Sequence, residues 1–303
     1  MLRQVTAGVD GSAESLAAAH WAAREALRRG AALRLVHAWT WHPRPAPSVP
    51  AGTSERDWAE QTLDRAVGSV RAAHSGLRIV AGLVPGSAVD ALLTAAAEAE
   101  LLVLGSSGLG GLGGLGGLGG LSGLSGLSGV AGVAVGSVSQ RVVAGSPHPV
   151  VLVRAGATSA DEHLPVSDGV SPEEIPETPY RDVVLGLDAR RPRDELIEFA
   201  FEAARLRAAG LRVVRAFGVP SAEVAGPRTD LLLPWREKFP GVPVTEIVCE
   251  GRTATALVRA SSRASLVVVG RRTRAGRLGT HIGPVTHAVL HHAACPVAVV
   301  PHA

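Results

Sequence analysis

The glycine-rich stretch at residues 105–137 holds the residue types best suited to binding chemistry. It begins where the apolar run 101–104 ends, at Gly105-Ser-Ser-Gly108, and it finishes at Gly136-Ser137, where an amphipathic helix is predicted to begin. A strand followed by a glycine loop and a helix amino terminus presents unpaired backbone N–H groups and the positive end of a helix dipole. The stretch therefore predicts a phosphate-binding loop.

Two common nucleotide-binding motifs are excluded. A Walker-type loop requires G-x-x-x-x-G-K-(S/T), and the only lysine of the chain, Lys238, lies in Trp-Arg-Glu-Lys-Phe-Pro. Residues 108–128 are seven consecutive copies of Gly-Leu-(Gly/Ser), so a match to G-x-G-x-x-G within them is automatic. No Asp or Glu lies between Leu101 and Ala160 to hold a ribose. We therefore do not expect nicotinamide binding.

A second polar loop, Asp10-Gly11-Ser12, directly follows the predicted strand 5–9. In doubly wound parallel sheets, ligands bind beyond the carboxyl ends of the strands, where the winding direction reverses. If strands 5–9 and 101–104 flank that point, the Asp10 loop and the glycine loop line one crevice. The two loops are thus predicted to form a single site.

Apolar strands alternate with amphipathic helices in the first half of the chain. Ser12 suits a helix amino-terminal cap, and Gly30 suits the left-handed residue that ends the same helix. The alternation predicts right-handed crossovers and a parallel sheet. The predicted strands are 5–9, 33–38, 77–83, 101–104 and 150–154, and the predicted helices are about 12–29, 55–74, 89–98 and 137–144.

The same pattern recurs in the second half. Segments 5–10 and 33–39 recur 178 residues later, segment 101–105 recurs 165 residues later, and segment 148–153 recurs 147 residues later. We therefore predict a tandem duplication. The last two offsets differ by 18 residues, or six triplets, so the repeat at 108–128 is interpreted as an expansion within the first glycine loop.

Residues 155–180 differ in composition from their surroundings, with six acidic residues, four prolines and no Lys or Arg. We interpret this segment as a flexible acidic linker. The predicted organisation is a nucleotide-binding domain at 1–154 with the insert 108–128, the linker at 155–180, and a second domain at 181–303 with a degenerate loop.

Composition limits the class of protein. A chain of 303 residues with 46% apolar and 19% charged residues is predicted to fold, and it is long enough for two domains. Cys249 and Cys295 lack metal-ligand spacing, and Asp10 and Glu14 interrupt any signal peptide. We expect a cytoplasmic protein with reduced thiols and with neither a membrane nor a nucleic-acid partner.

The loop motifs resemble those of the universal stress proteins. Members of that family carry Val-x-x-Asp-Gly-Ser after the first strand, G-x2-G-x9-G-(S/T) after the fourth, then a Ser-Val-Ser-Gln-Arg-Val-like helix and a Pro-Val strand. This chain reads Gly8-Val-Asp-Gly-Ser12, Gly105-x2-Gly108, Gly136-Ser-Val-Ser-Gln-Arg-Val142 and Pro149-Val. The resemblance covers both halves, apart from the linker and the insert.

The resemblance implies an α/β fold of two tandem, doubly wound, five-stranded parallel sheets, Rossmann-type and adenine nucleotide alpha hydrolase-like. The last strands would pair within the chain as a pseudo-dimer or between chains as a homodimer. The resemblance also implies ATP, with or without Mg²⁺, in the first half, and a role in stress response or signalling. The residues implied to bind the nucleotide are Asp10, Gly11, Ser12, Ala38, Gly105, Gly108, Gly136, Ser137, Val138 and Ser139.

Catalysis is not expected to be part of that role. The sequence offers no recognisable general base and no arginine finger, so we predict no catalytic residue and at most slow hydrolysis of ATP. His287 and His291 have the i, i+4 spacing of metal ligands, but no carboxylate accompanies them. We interpret both as ordinary helix histidines and expect no metal site.

The chain departs from the family pattern in both glycine loops. In the first, 27 residues instead of 9 separate Gly108 from Gly136, and Gly123-x2-Gly126 offers a second register at the shorter spacing. In the second, Gly270-x2-Thr273-x9-Gly283-Pro284 keeps the spacing, but Pro284 removes an N–H donor. Arginines 271, 272, 274 and 277 either contact phosphate or belong to a solvated loop. The alternative function is a nucleotide-free interaction scaffold whose insert has disabled the ATP site.

Overall fold

The structure is a computed structural model that describes residues 3–40, 53–106, 135–164, 178–188, 191–217, 231–250, 252–273 and 282–303. Gly108 and the whole Gly-Leu repeat lie outside the described residues, as do Arg274 and Arg277.

Serine caps define the helices of the first half. The hydroxyls of Ser12, Ser54 and Ser87 each accept the backbone N–H three residues on, which satisfies a free donor at the helix start. Gly30, with φ 59°, ends the first helix as predicted. The elements are β1 Gln4–Gly8, α1 Ala13–Arg29, β2 Ala32–Trp39, α2 Glu55–Ala73, β3 Ile79–Pro85, α3 Ala88–Ala97, β4 Leu101–Ser106, α4 Ser137–Gly145 and β5 Val150–Arg154.

The second half repeats this order of strands and helices. Its described elements are β6 Val183–Leu187, α5 Asp194–Leu206, β7 Leu211–Phe217, α6 Leu233–Lys238, β8 Val244–Glu250, α7 Thr253–Ser261, β9 Leu266–Arg272, α8 Pro284–His292 and β10 Val297–His302. A short 3-10 helix, Ala160–Glu162, lies between the halves. None of the helices in the described part of the chain is long and apolar enough to cross a membrane.

All ten strands belong to one sheet in the order β3-β2-β1-β4-β5-β10-β9-β6-β7-β8. Every pairing is parallel except that of β5 with β10, which is antiparallel and places Val151 opposite Ala298. The predicted tandem, doubly wound α/β fold is confirmed, with five strands from each half. The two five-stranded sheets are joined edge to edge, and the winding reverses between β1 and β4 and again between β6 and β9.

Each face of the sheet carries one apolar layer that runs through both halves. On one face, α1, α2 and α5 contribute buried side chains that include Trp21, Leu63 and Phe201. On the other face, α3, α4, α7 and α8 contribute Leu92 and Leu290 among others. Parallel strands covered on both faces explain why the strand sequences are continuously apolar rather than alternating.

Two arginines cross the junction between the halves in opposite directions. Arg154, at the end of β5, donates to the backbone carbonyl of His291 at the end of α8, at 3.0 Å. Arg271, in β9, donates to the carbonyl of Ser146, which ends α4. Each guanidinium thus neutralises the negative end of a helix dipole from the other half. Arg271 is buried with its guanidinium on the Ser146 carbonyl, so it does not lie in a solvated loop.

The first described residues of the predicted linker are mostly exposed, but one acidic side chain among them is buried. Glu162 is only 2% exposed and accepts a hydrogen bond from Arg24 at 2.6 Å. Tyr180 accepts a hydrogen bond from Arg28 at 2.9 Å. His163 and Tyr180 form an antiparallel bridge, so both ends of the segment meet over α1. The sequence predicted a flexible acidic linker, and within it Arg24 and Arg28 of α1 attract one carboxylate, that of Glu162.

Candidate functional site

Asp10 stands at the carboxyl end of β1, where the chain turns into α1. Its Oδ1 accepts hydrogen bonds from the Ser12 backbone N–H at 2.9 Å and from the Ser12 hydroxyl at 2.5 Å. Burial acts to raise the pKa of Asp10, but the hydrogen bonds from Ser12 and Ser15 and the charge of His37 outweigh it and hold that pKa below its ordinary value. The carboxyl group is therefore an ionised hydrogen-bond acceptor at neutral pH.

Two glycines allow backbone segments to approach closely at this end of the sheet. Gly11 has φ 87°, and a Cβ there would lie 3.1 Å from Cγ2 of Thr62. A Cβ on Gly105 would lie 2.6 Å from the carbonyl carbon of Glu14 and 2.7 Å from the backbone nitrogen of Ser15. The end of β4 therefore packs directly on the first turn of α1, which places the start of the glycine loop beside the Asp10 turn.

Ser139 joins the amino terminus of α4 to the end of β4. Its hydroxyl donates a hydrogen bond to the backbone carbonyl of Gly105 at 3.0 Å, and the side chain is buried. The resemblance implies that Ser139 binds phosphate, whereas the hydroxyl is already used within the protein. This residue can offer a ligand its backbone N–H, because that group lies in the first turn of the helix.

The amino terminus of α4 is not capped by any side chain of the described residues. Gly136 occupies the cap position, and its carbonyl accepts the Gln140 backbone N–H at 3.0 Å. Ser137 and Val138 follow it and are exposed. The N–H groups of the first turn and the positive end of the helix dipole form the kind of arrangement that binds an anion.

Ala38 and His37 lie at the carboxyl end of β2, which pairs with β1 on the side opposite to β4. Asp10, Ala38 and Gly105 therefore stand at the ends of three adjacent strands. His37 is not among the residues that the sequence motifs indicate. Its Nδ1 lies 2.6 Å from the carbonyl oxygen of Val9, which can only accept, so Nδ1 carries the hydrogen. His37 is a polar residue at the end of a predicted strand, directly before Ala38. That position is the sequence signal that could have identified it.

Comparison with known proteins identifies the family. A sequence model described as the universal stress protein family matches residues 1–119 and 179–301, which is more than half of the chain and includes both halves of the duplication. The chain belongs to the universal stress protein family. The Gly-Leu repeat lies at the point where the first matched segment ends.

Relatives within the family share the tandem arrangement. Universal stress protein Rv2005c of Mycobacterium tuberculosis is 32% identical over 316 residues, covering 97% of this chain and 96% of that protein. A universal stress protein from Archaeoglobus fulgidus DSM 4304 covers 99% of this chain and 98% of its own with a TM-score of 0.67 at 15% identity, a likeness of fold alone.

Another solved structure matches only half of this chain. The universal stress protein from Archaeoglobus fulgidus in complex with dAMP covers 50% of this chain and 97% of its own, with a TM-score of 0.34 and 21% identity.

The second half of this universal stress protein repeats the tether between strand and helix. Thr286 donates its hydroxyl to the carbonyl of Gly270 at 2.8 Å, as Ser139 does to Gly105 in the first half. Gly283 caps α8 without a side-chain hydrogen bond, as Gly136 caps α4. The first helical residue differs, because Pro284 has no N–H to offer an anion.

The contacts of the equivalent glycine also differ between the halves. A Cβ on Gly270 would lie 2.7 Å from Nε2 of His302, whereas Gly105 faces the backbone of α1. The imidazole of His302 and the side chain of Leu196 therefore both lie close to Gly270. With Pro284 at the start of α8, the second half lacks two features of the first-half arrangement.

Metal ligands are sparse in this part of the structure. Within residues 3–40, 53–106, 135–164 and the other described segments, no group of three or more His, Cys, Asp or Glu side chains could hold a metal ion. At the start of α4, the described groups that could contact a cation are serine hydroxyls and backbone atoms, with the Asp10 carboxylate on the neighbouring turn. A cation at this site would therefore have to be carried mainly by its own ligand.

Proposed function

We propose that the first half of this universal stress protein binds ATP with Mg²⁺ and that the nucleotide-loaded state acts in stress response or signalling. The proposal includes the division into a nucleotide-binding domain at 1–154, a connecting segment at 155–180 and a second domain at 181–303. The residues proposed to contact the nucleotide are Asp10, Gly11, Ser12, Ala38, Gly105, Gly108, Gly136, Ser137, Val138 and Ser139.

The observation that carries the proposal is the uncapped amino terminus of α4 held against the ends of β1 and β4. The Ser139 hydrogen bond to Gly105 fixes the helix start, and the close contact of Gly105 with α1 fixes the distance to the Asp10 turn. An anion site and a carboxylate acceptor beside the winding reversal are what an adenine nucleotide requires. Membership of the family supports the same assignment.

Each group has a distinct part in the proposed complex. The ionised Asp10 accepts hydrogen bonds from the adenosine moiety, beside Ala38 at the end of β2. The N–H groups of Ser137, Val138 and Ser139 bind the phosphates. The Ser137 hydroxyl would be the protein ligand of a bound Mg²⁺ ion, which would supply neutralisation of the phosphate charge. We infer that occupancy rather than turnover carries the signal, with hydrolysis at most slow.

The proposed test is isothermal titration of ATP with Mg²⁺ into the full chain and three variants. Asp10→Ala removes the carboxylate acceptor and is expected to weaken binding at least tenfold, because hydrogen bonds to charged groups contribute about 1.5–3 kcal/mol. Asp188→Ala, the equivalent change in the second half, is the matched control and should bind as the parent chain does. The third variant lacks residues 109–126, which restores nine residues between the glycines.

The outcomes separate ATP binding from the alternative scaffold function. Binding by the parent chain and by the shortened variant, lost with Asp10→Ala, would support the proposal. Binding by the shortened variant alone would mean that the Gly-Leu insert has disabled the site, which favours the scaffold. If neither the parent chain nor the shortened variant binds ATP, or if Asp10→Ala and Asp188→Ala weaken ATP binding equally, the assignment of the ATP site to the first half is wrong.

A further inference from the structure

A cavity of about 330 Å³ lies at the junction between the halves, beside the carboxyl end of β5 and the amino end of β10. It is lined by the segment that follows β5, by residues at the ends of α7 and α8, and by Arg181. Its volume lies in the range of small-molecule sites, about 300–1,000 Å³. None of its lining residues belongs to the proposed nucleotide site, so this junction cavity is a separate feature.

Arg154 brings to the junction cavity a positive charge that no carboxylate neutralises. Its side chain donates one hydrogen bond, to the backbone carbonyl of His291 at 3.0 Å. Within the described part of the chain, no Asp or Glu side chain pairs with its guanidinium. Arg154 is half-buried, and its other N–H groups have no protein acceptor. A partly desolvated guanidinium with unused donors suits an anionic ligand.

The other charged side chains of the cavity already have partners. Arg181 donates to two backbone carbonyls, at 2.7 and 3.1 Å. Asp161 accepts two hydrogen bonds from Thr158, and these, followed by the charge of Arg181, lower the pKa of Asp161 against the effect of burial. The carboxylate of Glu162 pairs with two arginines of α1. Arg154 is therefore the charged group of the cavity that a ligand would complete.

Small apolar side chains form much of the remaining wall. They include Ala157, Ala264, Ala294 and Pro296. Ala264 and Pro296 are buried, whereas Ala294 is exposed at the rim. A ligand whose charged group contacts Arg154 would place an apolar part against these residues, which is the usual division of a small-molecule site into few polar groups and an apolar lining.

We propose that the junction cavity binds a short monocarboxylate, with its carboxylate on the Arg154 guanidinium and its apolar part against the alanine and proline wall. One negative charge matches one unpaired guanidinium. A phosphate dianion suits the cavity less well, because it would also face Asp161, Glu162 and the negative ends of α7 and α8. The bound ligand contacts both halves and favours their docked arrangement. This proposal does not depend on nucleotide binding in the first half.

The test titrates sodium benzoate, and separately sodium hexanoate, into the full chain and follows binding by saturation-transfer NMR. The parent chain should bind both with millimolar dissociation constants or tighter. Benzyl alcohol, a neutral analogue of benzoate, should bind at least about tenfold more weakly, because it cannot form a charge-assisted hydrogen bond with Arg154.

Arg154→Gln should weaken benzoate binding at least about tenfold for the same reason. Arg271→Gln is the matched control. It removes the other arginine that crosses the junction to a carbonyl at a helix end, but Arg271 does not line the cavity, so this variant should bind benzoate as the parent does. An equal loss in Arg154→Gln and Arg271→Gln would overturn the direct contact with Arg154.

Ala294→Leu tests the location of the ligand without altering any charge. The larger side chain reduces the space in the cavity and should weaken benzoate binding. Excess benzoate should raise the unfolding temperature of the parent chain and of Arg271→Gln, but much less that of Arg154→Gln and Ala294→Leu. The site would be overturned if the parent chain bound neither carboxylate, if benzyl alcohol bound equally well, or if Arg154→Gln or Ala294→Leu kept the parent affinity.

Discussion

The serines at the start of α4 divide into two kinds once their surroundings are known. Ser137 is exposed, whereas Ser139 is buried with its hydroxyl on the carbonyl of Gly105. Thr286 makes the same hydrogen bond to Gly270 in the half that lacks the other features of the arrangement. A contact that recurs without those features is best explained as a structural tether. The hydroxyl of Ser139 therefore serves the fold, and its backbone N–H is the group left for the proposed ligand.

Gly105 is the residue at which fold and site depend most closely on each other. Gly105→Ala would push a methyl group against the backbone of Glu14 and Ser15, which cannot move aside as a flexible side chain can. We expect a loss of about 1–3 kcal/mol in the free energy of unfolding, the usual cost of overpacking. Chemical denaturation followed by circular dichroism measures it.

The control for this change is Gly68→Ala in α2, where a Cβ meets nothing within 4 Å. Because alanine favours helix over glycine by roughly 0.8–1 kcal/mol, this variant should be slightly stabilised. If Gly105→Ala were as stable as the parent chain, β4 and α1 would not be in close contact at this glycine.

At the scale of helices, α1 and α5 lie on the same face on either side of the junction and are linked by buried charges. Arg207, which follows α5, is fully buried and donates to Glu25 of α1 at 2.8 Å. Burial acts to raise the pKa of Glu25, but Arg207 first, and then Arg28 and Arg29, outweigh it and hold that pKa far below the ordinary value. Burial lowers the pKa of Arg207, and the positive charges of Arg28 and Arg29 lower it further, whereas the charge of Glu25 raises it. The guanidinium nevertheless stays protonated.

Replacing Glu25 should therefore be costly. Glu25→Gln keeps the shape of the side chain but leaves three arginines around a neutral amide, and breaking a buried pair in this way costs about 3–5 kcal/mol. Urea unfolding of the full chain measures the change. Glu60→Gln is the control, since the Arg56–Glu60 pair is exposed and such pairs contribute at most about 1 kcal/mol.

The same carboxylate predicts the pH dependence of stability. A group whose pKa is lower in the folded chain than its ordinary 4.5 stabilises the fold above pH 4.5, and this stabilisation is lost progressively as the pH falls below that value. The stability of the parent chain should therefore fall more steeply than that of Glu25→Gln between about pH 5 and pH 3. Parallel slopes for the two chains would contradict the assignment of the buried charge to Glu25.

At the scale of the whole molecule, the joining of β5 to β10 makes one ten-stranded sheet from two five-stranded ones. Each of these strands would otherwise be an open edge that could pair with another chain. Arg154 and Arg271 reinforce the junction from both sides, and the apolar layers on the two faces continue across it. We propose that this intrachain pairing replaces a homodimer.

The oligomeric state in solution tests that proposal. Because both inner edges are already paired, we expect the chain to be a monomer with a mass of 31.0 kDa by light scattering after size-exclusion chromatography. Val151→Asp, which places a charge in the middle of the β5–β10 pairing, should destabilise the docked state. A parent chain with twice the monomer mass would instead favour a homodimer.

The sequence by itself determined the class of fold, because hydrophobic runs, serine caps and glycine ends are local signals. The recurring segments also predicted that the chain consists of two similar halves. The loop residues after two strands predicted where a ligand would bind. Asp10, Gly105 and Gly136 were predicted as binding residues in this way, because glycine permits close backbone approach and acidic residues favour turns. Their role in binding stays a prediction.

Only the tertiary structure decided which groups meet across the junction, because such pairs are far apart in the sequence and carry no local pattern. Glu25 and Arg207 are separated by 182 residues, and Arg271 and Ser146 by 125. The same limit applies within the site, where the partner of the Ser139 hydroxyl depends on how α4 packs against β4. Local propensities specify the elements, but burial and charge pairing between distant segments determine how those elements are joined.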